Sequence, residues 1–234
     1  MTSSVAAVAG PALDDELYDV RRDLVYSRPR CRGWLHLLCF EISLVIGTLL
    51  IATAQGARQT VAAAVYAGAV SGLFGVSALY HRGRWSARAR CWLQRLDQVM
   101  ILALIAGTAT PVLLLCVPPP PASVTAVTVM WAVTAAAALT RLLWLTAPEQ
   151  LVGALFLSLG WGAAAAVPAV WVGAGVAPAV LLIAGGVLYT IGAVCYHYRR
   201  PDPVPAAFGY HEVFHVFVSV AAACHYIAIA VFLL

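Results

Sequence analysis

Apolar residues fall along this chain in runs of about twenty, separated by short breaks of polar residues, proline and glycine. Seven such runs cover roughly 34–54, 61–81, 97–117, 123–143, 150–171, 178–198 and 213–234. A helix rises about 1.5 Å per residue, so a run of ~20 residues crosses the ~30 Å hydrocarbon core of a bilayer. Strands of a membrane barrel read instead as ~10-residue segments of alternating polarity, and these runs do not alternate. In lipid the backbone must satisfy its own hydrogen bonds within each segment, which leaves helices. The pattern therefore predicts an all-α, polytopic membrane protein: a seven-helix transmembrane bundle over 34–234. Ahead of it lies a polar segment, 1–33, loosely ordered and with a short helix expected over 13–25.

The breaks carry turn chemistry. Gln55-Gly56 follows the first run, Pro118 to Pro121 the third, and Pro148 the fourth. Gly173-Ala174-Gly175 follows the fifth, and Pro201, Pro203 and Pro205 follow the sixth. The stretch Gly107 to Pro111 is expected to bend the third helix, because proline lacks the N–H that a helix interior needs. No internal repeat is visible.

Composition agrees with the pattern. The 234 residues are 62% hydrophobic and 10% charged, where soluble domains carry about 25% charged residues. Too little polar surface is available to cover a water-soluble globule. A net charge of +4 would suit nucleic acid, but the basic residues cluster at the ends of apolar runs, so no nucleic-acid partner is expected. Cys31, Cys39, Cys91, Cys116, Cys195 and Cys224 form no CxxC pair and read as small packing residues. The first thirty residues hold Asp14, Asp15, Glu16, Asp19 and Asp23, unlike the basic start and apolar centre of a secretory signal.

Charge also orients the bundle. All fourteen basic residues are arginine, and with seven spans thirteen of them fall on the face of the N-terminal segment. Only Arg58 falls on the other. The positive-inside rule then predicts a multi-pass protein of the plasma (inner) membrane, N-terminus cytoplasmic and C-terminus outside. A six-helix reading would split same-face arginines between the two sides. Trp34, Trp85, Trp92, Trp144 and Tyr198 suit the interfacial belts.

Ionisable side chains inside a membrane are costly, so each is a functional candidate. His81 ends the second span one turn after Ser77, Asp97 opens the third, and His211 and His215 open the seventh on one helix face. The orientation puts all of these at one membrane depth, on the cytoplasmic side. Three histidines with a carboxylate or water make a common zinc set, with an open position when the site is catalytic. Taken singly, each has a plainer reading. A histidine can be a packed interfacial residue, Asp97 a helix N-terminal acid or a partner of Arg95, and Ser77 a small residue at a helix contact. HEVFH also matches the zincin pattern, in which Glu212 would be the general base. Asp97 is preferred, since that five-residue pattern recurs by chance. His36, His197 and His225 are assigned structural roles, His225 as a hydrogen-bond partner of a neighbouring helix. Glu41, about two turns into the first span, is expected to be protonated, paired or turned towards water.

These residues resemble those of the hemolysin III family, the bacterial branch of the progestin and adipoQ receptor group that includes adiponectin receptors. RPRCRGWLH (28–36), SALYHR (77–82), RLDQVMILALIAGTATP (95–111) and HEVFHVFVSVAAACHY (211–226) carry the resemblance. It runs from about Arg28 to the C-terminus and departs at Ala109, where a bulkier aromatic is usual. The resemblance implies a seven-helix fold with one zinc held by His81, His211 and His215. Asp97 would hold or deprotonate water there, and Ser77 would bind an oxyanion or support the ligands. The wider group includes alkaline ceramidases, which implies a hydrolase of lipid amides or esters, or a regulator of membrane lipid composition, with membrane lipid as partner. Two other readings stay open: a receptor-like protein with structural zinc, and a pore-forming cytolysin. The latter needs a polar path that spans four to six do not offer beyond serine and threonine.

Overall fold

The computed structural model describes residues 16–19, 24–144 and 147–234. Two short strands come first, β1 (Glu16–Asp19) and β2 (Leu24–Ser27), paired antiparallel with Glu16 opposite Ser27 and Asp19 opposite Leu24. The helix expected over 13–25 is therefore not what its described residues form. Their valine, leucine and tyrosine content favours a pleated pair as much as a helix, and residues 13–15 and 20–23 lie outside the described residues.

Eight helices follow among the described residues: α1 (Trp34–Thr53), α2 (Gly56–Arg82), α3 (Ala87–Cys116), α4 (Pro120–Leu143), α5 (Glu149–Ala163), α6 (Val167–Ala174), α7 (Val176–Tyr198) and α8 (Tyr210–Phe232). α5 and α6 together form one span, Gln150–Ala174, so seven helical segments are long and apolar enough to cross a membrane. The protein is a polytopic membrane protein with a seven-helix bundle. Its fifth span is broken by a 3-10 turn, Ala164–Ala166. Pro168 explains the break: its ring clashes with the carbonyl four residues back, and it donates no hydrogen bond. Pro111 is accommodated inside α3, which is helical throughout.

α3 begins ten residues earlier than the apolar pattern implies, capped by Ser86, whose Oγ accepts the Ala89 N–H at 3.3 Å. At 30 residues it is about 45 Å long, so its arginine-bearing first turns extend past the hydrocarbon. Asp97 is thus the eleventh residue of α3, well inside the helix rather than at its start. Its reading as a helix N-terminal acid lapses, because the macrodipole acts over the first turn.

α2 packs between α1 and α3, α4 lies against α3, and α8 packs chiefly on α7 and more lightly on α1 and α3. The buried cluster joins Leu50 of α1, Tyr66, Val70, Leu73 and Phe74 of α2, Leu104 of α3, and Val218, Ala222 and Ile229 of α8. Small residues bring the backbones close, as expected where lipid removes the hydrophobic drive between helices. At Gly107 a Cβ would overlap that of Ala69, so only glycine lets α3 approach α2 there. Hydrogen bonds add interhelical ties: Tyr226 Oη donates to the Ile46 carbonyl at 3.1 Å, and Ser43 and Ser71 hydroxyls lie 2.9 Å apart. His225 Nε2 donates to the Leu182 carbonyl at 3.0 Å, the neighbouring-helix bond expected of it.

Residues 28–33 are bound to the bundle at the end where α2 finishes and α8 starts. Arg30 and Cys31 N–H groups donate to the Ala206 and Ala207 carbonyls. The Arg28 guanidinium donates to the carbonyls of Arg82 and Gly83 at 3.2 and 3.1 Å. Gly33, at φ +80°, turns this strap into α1 and leaves no room for a side chain beside the Cβ of His81.

Candidate metal centre

Three helices bring polar side chains together at the strap end. His81 comes from the last turn of α2, Asp97 from α3, and His211 and His215 from the first two turns of α8. The spacing of four residues on α8 stacks His211 over His215 on one face, their ring centroids 4.6 Å apart. One ring nitrogen from each of His81, His211 and His215 lies within 4.8 Å of the others. His81 and His215 are buried and His211 half-buried.

This geometry could hold a metal ion. Two imidazole nitrogens held at 2.0–2.1 Å by one tetrahedral ion stand about 3.3 Å apart, and His81 Nε2 and His211 Nε2 are separated by 3.2 Å. The His215 ring nitrogen lies within 4.8 Å of both. The donors are of the borderline-soft type that zinc takes in preference to the oxygen-seeking cations.

Asp97 stands beside the triangle, its Oδ2 3.9 Å from His81 Nε2. The Ser77 hydroxyl lies 2.9 Å from His36 Nδ1 and near the Asp97 carboxyl. All five residues singled out from sequence (Ser77, His81, Asp97, His211 and His215) thus meet in one place. Glu212, between the two α8 histidines, is engaged elsewhere. Its Oε1 accepts the Arg32 guanidinium in a buried ion pair, and its Oε2 accepts the Gly209 N–H at 2.8 Å. The carboxylate so closes the first turn of α8 and fastens the strap to it.

Three neighbours of the centre escaped the sequence reading. His36 was assigned a structural role near the cytoplasmic end of the first span. It is buried against the centre, its ring parallel to that of His215 at 3.7 Å and 9°. Its signal lay in its position within RPRCRGWLH, three residues past the glycine that starts α1. Arg32 counted only as one of many topology-setting arginines. So did Arg141, which is buried and donates to Gln98 Oε1 and to the Trp144 carbonyl, tying α4 to the residue after Asp97. No sequence signal separates these from surface arginines, because burial belongs to the packed bundle. His197 remains exposed, and so does Glu41.

The wider chain supports the same grouping of motifs. The family model described as Haemolysin-III related matches residues 24–226, a stretch that includes the strap and every residue of the histidine cluster, and the chain belongs to that family.

Proposed function

We propose that this protein is a zinc-dependent membrane hydrolase acting on the amide or ester bond of a lipid, or a regulator of membrane lipid composition built on the same centre. His81, His211 and His215 would hold the ion. The observation that carries the reading is the Asp97 carboxyl 3.9 Å from His81 Nε2, beside a three-histidine set and with the Ser77 hydroxyl near it, since purely structural zinc needs neither group. Zinc, when bound, supplies a Lewis acid for a carbonyl and brings the pKa of water to about 7. Asp97 accepts the proton of the attacking water and returns it to the leaving group, work that contributes about 10²–10⁴-fold in rate. Ser77 donates its O–H to the carbonyl oxygen as charge gathers there. Both Glu212 oxygens have other partners, which favours Asp97 as base.

The arginine-rich end is proposed to face the cytoplasm. Arg32 and Arg141 are buried and drop out of the count, yet eleven arginines still oppose one. The centre then lies at the cytoplasmic side of the plasma membrane, with Leu234 outside and residues 1–33 as a cytoplasmic segment. A reporter active only outside the cytoplasm is expected to be active after Leu234 and silent after Arg90; the reverse would invert the topology.

Function is tested on purified protein in lipid nanodiscs. About one zinc per chain is expected, lost in His81→Ala, His211→Ala or His215→Ala and kept in His225→Ala. Zinc-loaded wild type should hydrolyse members of a panel of lipid amides and esters, and His215→Ala none. Metal-free wild type sinks the zinc assignment, and zinc-loaded wild type without turnover sinks the hydrolase.

A further inference from the structure

α1 contributes no ligand to the histidine triangle, yet it touches the centre at two points one turn apart. His36 lies flat on His215, ring centroids 3.7 Å apart and planes 9° from parallel. Its Nδ1 is 2.9 Å from the Ser77 hydroxyl, and the edge of Phe74 meets its ring at 5.1 Å. One turn on, Cys39 Sγ is 3.5 Å from Ser219 Oγ, which itself donates to the His215 carbonyl at 2.8 Å. Side chain and backbone of His215 are therefore both held from α1.

We propose that His36 is a positioning residue that sets two parts of the centre at once, the ring plane of His215 and the direction of the Ser77 hydroxyl. Its part through Ser77 rests on the hydrolase reading above; its part through His215 needs only bound zinc. A metal-ligating imidazole left free to rotate loses affinity, and residues that orient such rings are worth about 10–100-fold in metal binding. Parallel stacking supplies that restraint here. For Ser77 the logic is one of proton count. A hydroxyl has one hydrogen, and Ser77 can donate to a substrate oxygen only if its bond to His36 uses a lone pair. His36 must then carry its proton on Nδ1 and donate to Ser77 Oγ. The same arrangement frees the Ser77 hydrogen to bond Asp97 until a carbonyl oxygen takes its place.

Three substitutions separate the two parts. His36→Phe keeps a flat ring against His215 and removes the donor. His36→Asn keeps an N–H donor near the position of Nδ1 and removes the ring. His36→Leu removes both. Zinc affinity of the full chain in nanodiscs is measured by competition with a chelator, alongside thermal stability of the metal-free protein. His36→Phe should hold zinc within about 3-fold of wild type, and His36→Asn and His36→Leu about 10–100-fold more weakly. At saturating zinc His36→Asn should keep kcat near wild type. His36→Phe should lose about tenfold or more, with no further loss when Ser77→Ala is added, because the two act through one hydrogen bond. Zinc affinity unchanged in all three variants would falsify the positioning role. So would equal weakening in His36→Phe and His36→Leu accompanied by a less stable metal-free protein, which would make His36 a packing residue only. If zinc-loaded wild type turns over no lipid, the hydrolase reading falls by itself, and the affinity series still decides the role of the stack.

Discussion

α2 and α4 are both alanine-rich apolar helices, yet the bundle uses them in opposite ways. In α2 Ala62, Ala63, Ala67, Ala69 and Ala78 are buried, whereas in α4 Ala132, Ala135 and Ala136 face outward. Over their most apolar stretches 56% of α2 is buried against 17% of α4. The same contrast holds between the whole α2–α3–α8 side and the α4–α6 side. The first has close backbones, a contiguous core and the histidine cluster. The second is joined through sparser ties, such as the Trp131 indole N–H to Thr110 Oγ1 and the Trp161 indole N–H to Thr190 Oγ1. A cleft of about 520 Å³ lined by Leu113, Met130, Leu159 and Ala166 opens there. It sits about 24 Å along α3 from Asp97, away from the histidines. Lipid solvates apolar side chains as well as protein does, so helices hold together where small residues let them touch and polar groups pair. A site that needs sub-ångström placement belongs on the tightly held side.

The largest effect expected on that side is catalytic. Asp97→Asn keeps the shape of the carboxyl but cannot accept a proton, so lipid turnover should fall about 10²–10⁴-fold. Zinc content and melting temperature should stay near those of wild type. Glu212→Gln is the counterpart, expected to keep most turnover; loss of turnover in Glu212→Gln with Asp97→Asn active would move the base to Glu212.

Next comes the fastening of the strap. Arg32 and Glu212 form a buried ion pair, and removing one partner leaves the other charge uncompensated, at a cost of about 3–5 kcal/mol. Arg32→Ala should lower the melting temperature in detergent and raise the protease sensitivity of residues 28–33. If it melts like wild type, the strap is not part of the tightly held side.

The smallest effect distinguishes the two sides directly. A methyl at Gly107 would overlap Ala69, and overpacking of this kind costs about 1–3 kcal/mol. At Gly160 of α5 a methyl meets nothing within 4 Å, so the change should stay within about 0.5 kcal/mol. Equal melting temperatures for Gly107→Ala and Gly160→Ala would erase the contrast between the halves.

Much of this protein was legible in the chain before folding. Seven apolar runs predicted seven spans because backbone in lipid must pair with itself, a constraint that acts on each segment alone. Ser77, His81, Asp97, His211 and His215 stood out because ionisable side chains inside a membrane are costly, and a seven-span topology puts these at one depth. The HEVFH spacing alone put two histidines on one helix face. What the chain could not declare is which neighbour each side chain meets. His36 and His225 look alike in sequence, histidines inside apolar helices, but one lies on His215 and the other donates to Leu182. Arg32 and Arg141 match the surface arginines in type and position, yet both are buried against partners 180 and 43 residues away. Sequence determines polarity along each helix, a one-dimensional property that lipid and water read segment by segment. Rotation of each helix about its axis and the choice of facing partner arise only when small residues, glycine contacts and paired polar groups fit together, and here those contacts decide which histidines form the centre.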